Sequence, residues 1–177
     1  CFRNAKNYSL TYNFSVADSN AYSQTAGFWF KFINKPTAAI EVLHFGSNTQ
    51  ALGVYYVVAS RKLQIKRGTL KIYDSNVRID PDEWNFISLT QTKQGSNYQY
   101  ELCINGEIET FSSSITTAAP SAIAIGGDMS KGSFVGYITG VIVGNSAAIG
   151  TDALIEYYRY TKDLLIEVEE GSFSSLL

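Results

Sequence analysis

A chain of 177 residues, 45% hydrophobic and 17% charged, holds enough apolar material for a core and too little charge to stay disordered. Its length suits one domain, since single domains run to about 100–200 residues. A formal net charge of -2 excludes the basic excess expected of a nucleic-acid binder. The densest basic group, Arg61, Lys62, Lys66, Arg67 and Lys71, reads as the solvated face of a strand pair. No stretch reaches the ~18 consecutive apolar residues of a membrane span, so no membrane insertion is expected. The chain opens on Cys1 without Met and is expected to be part of a larger parent protein.

Period-2 alternation dominates the chain, and alternation marks strands because successive side chains point to opposite faces. Tyr8, Leu10, Tyr12, Phe14 and Val16 alternate with polar residues. In the run from Gly27 to Ile33, Phe28, Phe30 and Phe32 share one face and Trp29 and Lys31 the other; Pro36 follows. Strands are expected over Glu41–Phe45, ended by Gly46-Ser47-Asn48, and over Leu52–Ala59. Leu63–Lys66 and Thr69–Tyr73 flank Gly68 as a hairpin. Asp80-Pro81-Asp82 marks a turn before Trp84–Thr90. Tyr98–Ile104 and Glu107–Phe111 flank Asn105-Gly106, two residues that tolerate positive φ and so favour a tight hairpin. Ala122–Ile125 and Phe134–Val143 complete the strands, with Gly126-Gly127-Asp128 as a loop between them. A short helix is expected from Asp152 to Arg159, capped by the Thr151 hydroxyl, and a closing strand from Leu164 to Val168. This series predicts an all-β, antiparallel two-sheet β-sandwich of the jelly-roll kind over residues 1–168, with one short helix near the C-terminus. Residues 169–177 are read as a tail or linker.

Five segments resemble the concanavalin A-like lectin/glucanase superfamily, and within it laminin G-like domains. They are Ala26-Gly27-Phe28-Trp29-Phe30-Lys31, Leu43-His44-Phe45-Gly46, Asp82 through Thr90, Leu102-Cys103-Ile104-Asn105-Gly106, and Ile125-Gly126-Gly127 followed by Phe134-Val135-Gly136-Tyr137-Ile138. They stand in the family order across about Leu10 to Leu165. The family commonly places Asp-Glu where this chain has Thr139-Gly140, so that acidic pair's role is not carried over. The resemblance implies the sandwich fold; the fold itself hosts lectins, hydrolases and adhesion modules alike.

A retaining glycosidase needs two carboxyl groups roughly 5–5.5 Å apart. The candidates are Glu41, Glu101, the same-face pair Glu107 and Glu109, and the run from Glu167 to Glu170. Glu107 and Glu109 follow the Asn105-Gly106 turn, where charged residues are expected to protrude into water, and the Glu167–Glu170 run is expected to be solvated. Catalytic residues are therefore read as none, and the chain as not an enzyme. Calcium takes six to eight oxygen ligands and is the cofactor the resemblance implies. Of the loop acids Asp18, Asp74, Asp80, Asp82 and Asp128, Asp128 is the leading ligand candidate, with Asp80 and Asp82 shaping the Pro81 turn.

Sugar rings stack their C–H faces on aromatic rings while polar neighbours bond the hydroxyls. Trp29, with Lys31 beside it, Tyr55, Tyr73 and Tyr98 are therefore the candidate ligand-binding residues. Against this, Trp29 can pack under a covering loop, and Trp84 is assigned to the core. His44 is taken as a strand residue without a special role. Cys103 is read as a small packing residue; whether it pairs with Cys1 is open. The expected function is a non-catalytic recognition module, carbohydrate-binding, on a secreted, surface or virion protein, whose partner is a glycan or cell-surface receptor. The alternatives are a structural or protein-interaction domain and, third, a glycoside hydrolase.

Overall fold

The computed structural model describes residues 2–4, 10–13, 21–46, 51–115, 121–127, 134–145 and 148–170. Its strands are β1 (Phe2–Asn4), β2 (Leu10–Asn13), β3 (Ala21–Phe32), β4 (Ile40–Phe45), β5 (Leu52–Val57), β6 (Lys62–Arg67), β7 (Leu70–Arg78), β8 (Asn85–Gln94), β9 (Asn97–Ile104), β10 (Glu107–Ser113), β11 (Ala122–Ile125) and β12 (Gly136–Asn145); helix α1 spans Thr151–Glu170. They form two six-stranded sheets in the orders β1-β12-β3-β8-β9-β10 and β2-β11-β4-β5-β6-β7, with every pairing antiparallel. The chain is a β-sandwich, as the alternation predicts.

The core lies between the sheets. Phe28, Phe30 and Phe32 of β3 meet Val42, Leu43 and Phe45 of β4, Leu52, Val54 and Tyr56 of β5, and Leu63 and Ile65 of β6. Each fully buried aromatic or branched aliphatic side chain contributes about 1.5–3 kcal/mol relative to exposure. Phe134 wedges against both Phe30 and Phe32, with centroids 5.8 and 5.2 Å away. The sheets are also tied at their β10–β7 edge. There the Glu109 carboxylate, 9% exposed, accepts hydrogen bonds from Asn76 N at 2.8 and 3.1 Å and from Val77 N at 2.9 Å. The sequence placed Glu109 in water; the position instead faces inward, and its charge is matched by backbone donors.

The C-terminal region departs from expectation. Helix α1 runs unbroken from Thr151 to Glu170, so the expected closing strand over Leu164–Val168 does not form and the helix crosses the expected boundary at 168. Leu154, Tyr157, Tyr158, Thr161 and Leu165 recur at helical spacing. The tyrosines and Leu165 pack on Trp29, Phe86 and Cys103 of the outer sheet face. A period of 3.6 therefore governs the stretch in which Leu164 and Leu165 were read as strand. The Thr151 hydroxyl, expected to accept a helix N–H, donates to Glu101 Oε2 at 2.6 Å, and the Leu154 N–H goes to the Gly150 carbonyl at 3.2 Å.

This helix explains why β3 and β8 are buried on both faces. It also explains Gly140. That residue sits at φ 57° beside an irregularity between Thr139 and Ile142 in the β12–β3 register. A Cβ there would lie 2.7 Å from the Tyr157 hydroxyl and 3.0 Å from the Trp29 ring. Glycine is thus required, both by the backbone and by the approach of α1, where the resembled family carries an acid.

Candidate functional site

Where the N-terminal two-thirds of α1 lies against the ends of β8 and β9, Trp29, Glu83, Trp84, Asn105, Tyr158, Lys162 and Leu165 line a cavity of about 240 Å³. Its floor is rigid. Trp29 is 3% exposed, stacks on Tyr158 at 5.4 Å with an 18° interplanar angle, and donates Nε1–H to Thr161 Oγ1 at 2.8 Å. Phe86 supports both rings from below at 5.5 and 6.0 Å.

One wall is set by two asparagines. Asn105, at φ 51° in the hairpin turn, accepts the Phe86 N–H at its Oδ1, 2.8 Å away, and donates Nδ2–H to Asn85 Oδ1 at 3.0 Å. Asn85 in turn donates to the carbonyls of Asp80 and Glu83 at 2.7 and 2.8 Å. The chain carrying Glu83 and Trp84 is thereby held to the β9–β10 hairpin. Gly106 completes the fit: at φ 86°, a Cβ there would lie 2.8 Å from the Tyr158 ring, so only glycine lets the helix come this close. The rim bears Trp84, half-buried and 6.2 Å from Tyr137, with exposed Glu83 and exposed Lys162; the Lys162 ammonium lies 5.9 Å from the Tyr158 ring centroid.

The five candidate ligand residues fall in three places. Trp29 is in this cavity, but as its floor: its ring is covered by α1, where the sequence reading left it outward-facing or under a loop. Lys31 lies opposite Tyr137 in the β12–β3 register, two positions from Trp29 on the same face. Tyr55 is on the outer face of the other sheet, half-buried, with Lys66 Nζ 5.1 Å from its ring centroid. Tyr98 is interior, and Tyr73 is half-buried against the core. Tyr98 is 1% exposed and belongs to a ladder in which Tyr73 stacks on Phe111 at 4.0 Å, Phe111 on Tyr100 at 4.8 Å and Tyr100 on Tyr98 at 6.4 Å. Burial, and then the Glu109 carboxylate beside its hydroxyl, push the Tyr73 pKa up.

Trp84, Tyr158, Glu83 and Lys162 were missed as site residues. Trp84 carried a usable signal, because it stands before the strand, in the turn after Pro81, where a ring can remain partly exposed. Tyr158 and Lys162 carried none, since only the docking of α1 brings them near Trp84.

Four other acids are engaged elsewhere. Glu41, 1% exposed, is hydrogen-bonded to His44 Nδ1 at 2.9 Å, a buried pair that gives His44 a structural partner the sequence did not suggest. Asp74 is held below its ordinary pKa by hydrogen bonds from Lys71 and Gln64. Asp80 accepts the Asp82 N–H at 3.0 Å, and Asp82 pairs with Lys35 at 2.6 Å. Among the described residues no group of three or more His, Cys, Asp and Glu could hold a metal ion; Asp128, like Asp18, lies outside the described residues. Cys103 is a free buried thiol whose pKa burial pushes up. Among the described residues no helix is long and apolar enough to cross a membrane.

No family model matches the chain, and no curated protein does. Solved structures do. The CBM40 module of the Ruminococcus gnavus IT-sialidase, bound to α2,3-sialyllactose, is similar with a TM-score of 0.51 at 16% identity, over 83% of this chain and 97% of that one. Domain 4 of AbnA, a GH43 extracellular arabinanase of Geobacillus stearothermophilus in complex with arabinotriose, gives 0.54 at 16% identity, over 85% and 72%. The Trypanosoma rangeli sialidase gives 0.60 at 15%, over 80% of this chain but 23% of that one. At such identities the likeness is one of fold.

Proposed function

We propose that this chain is a non-catalytic carbohydrate-binding module of the laminin G-like, concanavalin A-like kind, part of a larger extracellular, surface or virion protein, and that it binds glycan in the cavity between Trp84 and α1. The observation that carries the proposal is the cavity's make-up: half-buried Trp84 and Tyr158 rings beside an exposed carboxylate and an exposed ammonium, on a floor fixed by Trp29 and Phe86. Aromatic faces take the C–H faces of a sugar and charged groups its hydroxyls, which is how a few placed polar groups give a largely apolar pocket its specificity. Two of the similar structures, the R. gnavus module with sialyllactose and the AbnA domain with arabinotriose, hold glycans on the same fold, which supports the reading. The engagement of Glu109 by backbone N–H groups, of Glu101 by Thr151 and of Glu41 by His44 supports the non-catalytic part.

The test is titration calorimetry against a glycan panel, with Trp84→Ala as the control. Binding is expected, and Trp84→Ala is expected to weaken it at least tenfold, about 1.4 kcal/mol, in protein that a melting curve shows to be folded. Folded protein that binds no glycan overturns the proposal. Calcium at Asp128 is proposed on the resemblance alone, and a calcium-versus-chelator arm of the same melts tests it, since a ligand bound only by the folded state raises the midpoint. A second reading, protein contact, rests on Tyr160 and Leu164, 72% and 46% exposed one turn apart on α1; a stable oligomer by light scattering would favour it.

A further inference from the structure

We infer that the Trp84 cavity takes a single neutral sugar ring and gains nothing from a carboxylate on the ligand, an inference that rests on the carbohydrate reading above. Size sets the first limit. At about 240 Å³ the cavity falls below the about 300–1,000 Å³ that encloses drug-sized ligands, so it admits one ring and leaves the rest of a glycan in solvent.

Hydrogen-bonding capacity sets the second. The Asn105 amide is consumed by Phe86 N and Asn85. The Trp29 N–H is consumed by Thr161. Among the described residues no ion pair or hydrogen bond engages the side chains of Glu83 or Lys162. Those two exposed groups are what the rim offers a ligand: an acceptor-only carboxylate that can receive two hydroxyls at once, and an ammonium that can donate to a ring or hydroxyl oxygen. A vicinal diol matches the first and any sugar oxygen the second.

Charge sets the third limit. Lys162 is the rim's cation, and Glu83 stands on the same rim at the end of an acidic turn with Asp80 and Asp82, of which Asp82 is paired with Lys35. An incoming carboxylate would gain Lys162 while facing Glu83. The rim thus presents one charge of each sign, and their opposite effects on an anion offset and leave no preference for one. A neutral ring uses both rim charges without meeting a like one.

The experiment compares lactose with its α2,3- and α2,6-sialylated forms on the intact chain, within a panel of neutral glucose, galactose, mannose and arabinose oligosaccharides, at 50 and 500 mM salt. Glu83 and Lys162 are exposed, so Glu83→Gln and Lys162→Gln should fold as the parent does, which melting curves check. We expect at least one neutral sugar to bind, less than a threefold change in its affinity with salt, about a tenfold loss with Glu83→Gln, and no gain from sialylation. Sialyllactose binding tenfold tighter than lactose, with the preference abolished by Lys162→Gln, would overturn this inference and leave the carbohydrate reading standing. Neutral-sugar binding indifferent to both Glu83→Gln and Trp84→Ala would place the ligand elsewhere and also overturn it. Failure of every sugar to bind would overturn both.

Discussion

The Glu109 carboxylate bridges the two sheets, and its removal is the sharpest test of how the sandwich is closed. It reaches from β10 to β7, is 9% exposed, and satisfies two backbone donors, Asn76 N and Val77 N, through contacts of 2.8, 3.1 and 2.9 Å. A hydrogen bond to a charged group contributes about 1.5–3 kcal/mol net, so two donors set an upper range of about 3–6 kcal/mol. The edge position lets water reach the orphaned N–H groups after truncation, and Glu109→Ala is expected to cost about 2–4 kcal/mol. Glu109→Gln keeps one acceptor oxygen but turns an N–H toward a donor, and should cost about 1–2 kcal/mol. For a chain of this size 1 kcal/mol moves the melting temperature by about 2–4 °C, so urea titration and thermal melts at neutral pH both resolve the difference. A loss under about 1 kcal/mol for Glu109→Ala, or equal losses for the two variants, would refute the clamp. Turnover of an oligosaccharide by the parent that vanished in Glu109→Gln at unchanged stability would refute the non-catalytic reading with it.

Two other perturbations bear on the site and the core. Gly106→Ala should lower stability by about 1–3 kcal/mol, because it forces a Cβ onto a backbone at φ 86° and within 2.8 Å of the Tyr158 ring. It should also weaken glycan binding by displacing that ring, and calorimetry on the folded variant checks this. Burial raises the pKa of Tyr56, Tyr73 and Tyr157 above the usual 10.0. The folded state then keeps phenol protons that the unfolded chain gives up, so stability is full below pH 10 and falls as pH rises through and above it. Urea midpoints at pH 9, 10 and 11 should decline in that order, and a flat series would contradict the burial of these hydroxyls.

Most of the sandwich was legible from local pattern. Phe28, Phe30 and Phe32 occupy the face their alternation assigns, Asn105-Gly106 forms the expected hairpin turn, and Ala122–Ile125 is a strand with the predicted ends. Period-2 alternation works because the pleat itself alternates, whatever the strand's neighbours. It failed where both faces are covered. Trp29 was assigned to the outer face correctly, but the sequence has no means of stating that the outer face is roofed. Glu109 was likewise placed on a face without any sign of the two donors that wait for it on the other sheet. Helix α1 was read as less than half its 20 residues because Leu164 and Leu165 look alike to a short strand and to a helix stripe.

What the sequence by itself determined is therefore the fold class, the core face of β3 and turns such as Asn105-Gly106, all properties of residues within about ten of one another. The tertiary structure alone decided the site. Trp84 and Lys162 are 78 positions apart, and they share a cavity because Trp29 and Thr161 hold the helix down, because Gly106 and Gly140 give its tyrosines room, and because Asn85 and Asn105 fix the opposing wall. Such a site depends on the relative placement of elements, and no local period encodes that.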